Sequence, residues 1–260
     1  MKFNRIFIAL ALAALSFTAC DEVDEADRFK ELEKIESKRT VLLEDFTGQM
    51  CTNCPKAHSL ITSLRKQYGE KVIAVAIHAG NFGIAENSMP GVIGLMLPEG
   101  DDYAKKAGIE AYPSGVINRH TNVLRYTEWA SYVRDELEKE SFLNIELKAN
   151  IENGKIFITT ELKPIKDING KLQLWITENN IVTLQVDEGK YLMDYIHNHV
   201  YRGSVNGIWG EDVNLKANVF SNTKHQLEVK DGWNVDNLSV VAFVYNDNDG
   251  VYQATECSVE

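Results

Sequence analysis

Val41-Leu-Leu-Glu-Asp-Phe-Thr-Gly-Gln-Met-Cys-Thr-Asn-Cys-Pro55 decides how this chain is read. Val41 to Phe46 is a short apolar run with the composition of a core strand, and Thr47-Gly48 ends it. From Cys54 onward, Ala57, Leu60, Ile61 and Leu64 recur at helical spacing, with Lys56, Ser59, Ser63 and Lys66 turned the other way. The pattern predicts strand, turn and helix, with Cys51 at the helix N-terminus and Cys54 one turn in. Pro55 falls in the first turn, where its missing N–H is not needed. Unpaired N–H groups and the positive end of the helix dipole favour thiolate there, so Cys51 is the expected nucleophile and Cys54 the resolving thiol.

Two other uses of this spacing compete with exchange. A zinc site needs two more ligands, and His58, His78 and Cys257 do not supply a second pair, so no metal is expected. A structural Cys51–Cys54 disulfide closing a short loop needs nothing further.

The segments that follow favour a redox pair. Lys71-Val-Ile-Ala-Val-Ala-Ile-His78 is a continuous apolar run, as a buried parallel strand should be. A long loop leads to a short helix at Asp101 to Ala107, and Gly108 to Asn118 enters another strand through Pro113. Trp129, Tyr132, Val133 and Leu137 then mark one face of a helix running to Glu140.

This order resembles the thioredoxin superfamily over about Thr40 to Glu140. The dithiol, Asp45 six residues before it, the Gly108-Ile-x-x-x-Pro113 segment and the final amphipathic helix carry the resemblance. It implies a cis Pro113 facing the dithiol, with Tyr112 pairing its backbone to a substrate chain, and a buried acid, Asp45, that exchanges protons with Cys54. A solvated carboxylate at a strand end is the other reading of Asp45, since Glu44 adjoins it. Thr-Asn between the cysteines and Met50 before them depart from thioredoxin itself, so the resemblance leaves the potential and the direction of electron flow open.

The N-terminus suggests a compartment. Met1-Lys-Phe-Asn-Arg5 is basic, Ile6 to Phe17 is mostly apolar and too short to span a bilayer comfortably, and Phe17-Thr-Ala-Cys20 ends on small residues. The pattern resembles a bacterial lipoprotein signal over residues 1–19, which implies lipidation of Cys20 and a membrane anchor. Phe17 stands where such signals usually have Leu, so secretion with a free Cys20 is the other reading. The formal charge is −11, and loss of Lys2 and Arg5 with the signal brings it to about −13. Such acidity argues against nucleic acid as a partner. Residues 20–39 read as a charged tether; acidic residues beside a lipidated cysteine also resemble an export signal to the surface of some Gram-negative bacteria. With Cys20 lipidated and Cys51 joined to Cys54, Cys257 is left as an unpaired strand residue.

Beyond residue 141 the period changes. Phe142 to Asn150 alternates, Asn153-Gly154 supplies a hairpin turn into Lys155 to Leu162, and Lys171 to Thr177 and Gln226 to Val229 read as further strands. Leu238 to Tyr245 and Val251 to Ser258 form a last hairpin around Asp247-Asn-Asp249-Gly250, which is too short for a calcium loop of the EF-hand kind. The expected fold is thus an α/β thioredoxin-like domain (40–141) followed by an all-β, immunoglobulin-like sandwich (142–260). His197-Asn-His199 places two imidazoles on one side of a strand without an identifiable third ligand, so both read as surface or core residues. Trp175, Trp209 and Trp233 read as core.

Signal, dithiol domain and terminal β-sandwich together resemble the 28-kilodalton outer-membrane protein family of Gram-negative gut and oral bacteria. The resemblance implies an outer-membrane lipoprotein, and no cofactor is expected. Two functions follow as expectations. One is disulfide exchange with envelope or extracellular proteins through Cys51, Cys54, Asp45 and Pro113, with Tyr112 and Pro113 aligning the substrate. The other is binding or adhesion, with the disulfide as a staple and the sandwich holding an extracellular ligand.

Overall fold

The computed structural model describes residues 39–260; the signal segment, Cys20 and all but the end of the tether lie outside them. Val41–Thr47 (β1) and Val72–His78 (β2) pair in parallel, joined by Cys54–Tyr68 (α1). Pro98–Ala107 (α2) leads to Ser114–Ile117 (β3), which pairs antiparallel with β1 and with the short Leu124–Arg125 (β4). Trp129–Leu137 (α3) closes the first half.

Ten strands follow: Leu143–Glu152 (β5), Lys155–Pro164 (β6), Ile168–Glu178 (β7), Ile181–Asp187 (β8), Lys190–His197 (β9), Val200–Ser204 (β10), Glu211–Leu215 (β11), Ser221–Glu228 (β12), Leu238–Asn246 (β13) and Gly250–Ser258 (β14). Asn153 and Gly154 both take positive φ, 51° and 75°, as the two-residue turn between β5 and β6 requires.

The two halves do not keep separate sheets. One nine-stranded sheet runs β14-β13-β7-β10-β2-β1-β3-β4, with β11 also on β7. The junction is parallel pairing of β10 on β2, where Val200 faces Ala76 and Ala76 N–H donates to the His199 carbonyl at 2.8 Å. The expected self-contained immunoglobulin-like sandwich is corrected accordingly. Its smaller layer is the β12-β6-β5 sheet, but its larger layer belongs to the sheet that also holds β1 and β2. The boundary near residue 141 falls between α3 and β5 and separates no sheet.

Alternation along the strands sorts the core. Val41 and Leu43 of β1, with Val72 and Ala74 of β2, pack under Ala57, Ile61 and Leu64 of α1 and Trp129 and Val133 of α3. Leu42, Phe46, Ile73, Val75 and Ile77 point the other way, toward Tyr103 and Ala104 of α2 and toward Trp175, Val241 and Phe243. Strands β7 and β13 are also covered on both faces, because Leu172, Leu174, Val240 and Ala242 pack against Leu143, Ile156 and Ile158 of the small sheet. Trp175 is core as expected, whereas Trp209 and Trp233 are only partly buried at the rims of the clusters. Among the described residues, no helix is long and apolar enough to cross a membrane.

Candidate functional site at the dithiol

Alternation on β1 assigns its two acids to opposite faces. Glu44 goes to the α2 side, where Arg119 grips it with Nε at 3.1 Å and Nη2 at 2.9 Å from Oε1. The Arg119 guanidinium lies over Tyr245 (4.3 Å), Phe243 (4.7 Å), Trp175 (5.1 Å) and Tyr103 (5.7 Å), an aromatic box around a buried ion pair. Asp45 goes to the α1 side with no exposure, and neither carboxyl oxygen has a hydrogen-bond partner. It is therefore not a solvated strand-end group. Burial pushes its carboxyl up to about 8.

Cys51 and Cys54 are joined as a disulfide, with Cα atoms 5.4 Å apart. The helix begins at Cys54 rather than at Cys51. Cys51 N–H donates to the Gly48 carbonyl and the Cys51 carbonyl accepts from Cys54 N–H, so Cys51 sits in the preceding turn. It is also covered, with 3 % exposure for Cys51 and none for Cys54. The cover is the β8–β9 hairpin, of which the sequence suggests only a strand at His197 to His199. Val186 N–H donates to the Gln49 carbonyl (2.7 Å), Gly189 N–H to Thr52 Oγ1 (3.1 Å), and Gln185 Nε2 to the carbonyls of Cys51 (3.0 Å) and Gly48 (3.3 Å). Gln49, fully buried, returns a bond from Nε2 to the Leu184 carbonyl and accepts from Leu95 N–H. On another side Phe82 closes in, its carbonyl accepting from Met50 N–H at 2.9 Å. A Cβ on Gly48 would meet the Phe82 backbone at 2.5 Å. Gly48→Ala is thus expected to cost about 1–3 kcal/mol in urea unfolding, because backbone rather than a side-chain tip must give way.

The Tyr112–Pro113 peptide is cis, and Pro113 is buried at the entry to β3. Tyr112 is half-buried, its ring edge-on to Phe82 with centroids 5.7 Å apart.

Sequence reasoning missed a cluster of imidazoles beside Asp45. His58, four residues after Cys54 on α1, puts Nε2 3.0 Å from Thr47 Oγ1 and 3.7 Å from Asp45 Oδ2, and Nδ1 2.9 Å from the Tyr195 hydroxyl. His78 ends β2 with both ring nitrogens unpartnered, and its ring is 5.4 Å from that of His197. His197 and His199 do not share a strand face: His197 ends β9, and His199 lies in the turn to β10 with φ of 57°. Both still line one cavity of about 120 Å³ with Asp45, His58, His78 and Tyr195. Burial lowers every ring, His58 to about 3, His197 to about 4, His199 to about 3 and His78 well below its ordinary value. At neutral pH the cluster is therefore uncharged. Among the described residues, no three His, Cys, Asp or Glu side chains stand where they could share an ion. Cys257 is a free, half-buried thiol on β14, remote in sequence from the dithiol, and burial pushes it up to about 11.

Comparison with known proteins identifies relatives at the level of family and fold. Residues 100–260 match the family described as Outer membrane protein Omp28, a stretch that begins beyond the dithiol. No curated protein matches the chain. HBP35 of Porphyromonas gingivalis superposes with a TM-score of 0.68 at 18% identity, over 85% of this chain and 76% of that one. A protein of Agrobacterium tumefaciens gives 0.51 at 13% identity, over 85% and 95%. A domain of the outer membrane lipoprotein Omp28 from Porphyromonas gingivalis is 25% identical over 46% of this chain and 89% of that domain, with a TM-score of 0.34. At such identities the two higher scores show a shared fold and nothing finer. The family match spans more than half of the sequence, and the chain belongs to the Omp28 family of outer membrane proteins.

Proposed function

We propose that this outer-membrane protein is a lipoprotein, anchored through Cys20, whose thioredoxin-like region exchanges disulfides with envelope or extracellular proteins. The observation that carries the reading is the unpartnered, buried Asp45 carboxyl on the strand that feeds the Cys51–Cys54 disulfide. In the opening step a substrate thiolate attacks Cys51 Sγ, a mixed disulfide forms, and the Cys51–Cys54 bond breaks. Cys54 leaves with the electron pair and takes the Asp45 proton. A second substrate thiolate then attacks the mixed disulfide, leaving substrate oxidised and the dithiol reduced; the reverse sequence oxidises the dithiol. Tyr112 and Pro113 align the substrate chain. The β-rich region from residue 142 supplies the cover over the dithiol and a surface for an external ligand.

The burial of both cysteines favours a second reading, in which the disulfide is a staple and the protein a binding or adhesion lipoprotein. Equilibration of the full chain with glutathione separates them. An exchanging pair is expected to lie above about −300 mV and to leave a trapped mixed disulfide in Cys54→Ala; a potential far below that, with an empty trap, sinks the exchange reading.

A further inference from the structure

Asp45 has no exposed surface, so a proton it gives to or takes from a thiol passes through the groups that line its cavity. Its neighbours come from every element around the cavity: His58 on α1, His78 on β2, Tyr195 and His197 on β9, and His199 in the turn that follows. Arg65, Arg202 and Asp187 act on this group through their charges, on His199, His78 and Tyr195 respectively.

Most of these groups cannot carry a proton onward. His78 has no hydrogen-bond partner on either nitrogen, and His197 Nε2–H is committed to the Leu184 carbonyl at 3.2 Å. His58 is hydrogen-bonded at both nitrogens, to Thr47 at Nε2 and to the Tyr195 hydroxyl at Nδ1, and its Nε2 lies 3.7 Å from Asp45 Oδ2. Tyr195 is half-buried, and its hydroxyl meets His58 at the ring nitrogen other than the one nearest Asp45. His58 also follows Cys54 by four residues, which puts both on one face of α1.

We propose that His58 and Tyr195 form the route by which the buried Asp45 carboxyl gains and loses its proton. When Asp45 has given its proton to Cys54, His58 Nε2–H passes to the carboxylate as Nδ1 takes the Tyr195 proton, and water restores the phenol. Charge and protons balance, the ring stays neutral, and its tautomer changes from Nε2–H to Nδ1–H. A small ring movement closes the 3.7 Å gap to hydrogen-bond distance. The route is read from these contacts; its service to Cys54 rests on the exchange function proposed above.

Infrared spectroscopy tests it without relying on exchange activity. The protonated Asp45 carbonyl stretch, assigned by its loss in Asp45→Asn, shifts when the oxidised full chain is mixed with heavy water. Tyr195→Phe and His58→Ala are each expected to slow that shift by about tenfold or more, and added imidazole to restore the rate in His58→Ala. Exchange as fast as wild type in either variant overturns the route. So does slowing in His58→Ala that imidazole leaves untouched, since that assigns the effect to packing. Tyr195→Phe removes one oxygen from a half-buried ring, so the test survives should His58→Ala fold poorly. If the variants behave as expected while the oxidised wild-type protein fails to exchange with reduced glutathione, the route stands and the exchange function falls.

Discussion

Replacing Arg119 by methionine is expected to cost the fold about 3–5 kcal/mol, measured as the loss of unfolding free energy in urea. Methionine keeps the apolar stem and reaches part of the way into the space that the guanidinium occupies among Tyr103, Trp175, Phe243 and Tyr245, which limits the cavity left there. What it leaves behind is Glu44, 3 % exposed, stripped of its bidentate partner. A carboxylate in that position must either remain charged in an apolar box or take up a proton, and both are unfavourable at neutral pH. Glu44→Gln combined with Arg119→Met should recover a large part of the loss, because the orphaned charge is gone. A single variant within about 1 kcal/mol of wild type would show that the pair contributes nothing net.

Acidification from pH 7 to pH 5 is expected to remove about 5 kcal/mol of stability. His58, His78, His197 and His199 are all held below the unfolded value of 6.5, so each unfolded chain takes up protons that the folded chain refuses. Stability from these four is present above that value and is lost as the pH falls below it. Asp45 works in the opposite sense: raised from 3.8 to about 8, it is protonated in the folded chain and ionised in the unfolded one throughout this window. Three net protons therefore enter on unfolding near pH 5, at about 1.4 kcal/mol per pH unit each. Above the histidine range only Asp45 remains, so stability should decline gently toward pH 8 and peak near neutrality. Urea midpoints across this range check the prediction, and equal stability at pH 5 and 7 would refute it. His78→Phe should flatten the acid limb by about one proton.

The first half of the molecule was legible because its signals are local. The turn at Thr47-Gly48, the apolar spacing after Cys54 and the run ending at His78 each fix an element within a dozen residues. The resemblance already implied a buried Asp45, but the surroundings of Glu44 and Asp45 were not legible, since they come from Arg119 and His58, which no local pattern links to β1. The shared sheet has a local signature in β13. Leu238-Ser-Val-Val-Ala-Phe-Val-Tyr is apolar at both parities, as a strand covered on both faces should be, whereas a one-sided sandwich strand would alternate. The β8–β9 hairpin was missed because its turn is Glu188-Gly189, with φ of 46° and 79°, where the usual signal is Asn or Asp before Gly. Without that hairpin, nothing pointed to the burial of Cys51 or to the gathering of His197 and Tyr195 beside Asp45.

The hairpin gives the disulfide a clock. β8 and β9 form a two-stranded sheet of their own, so they can lift away without unzipping the nine-stranded one. Such a local excursion has its own free energy, smaller than that of global unfolding. A reagent waiting outside then reacts at its intrinsic rate multiplied by the fraction of time the cover is open. An opening free energy of about 4 kcal/mol would slow it about a thousandfold, whatever the nucleophilicity of the attacking thiol. Reactivity of Cys51 would then track temperature and denaturant as an amide in the same segment does in hydrogen exchange. Thiol chemistry and backbone motion would keep the same time.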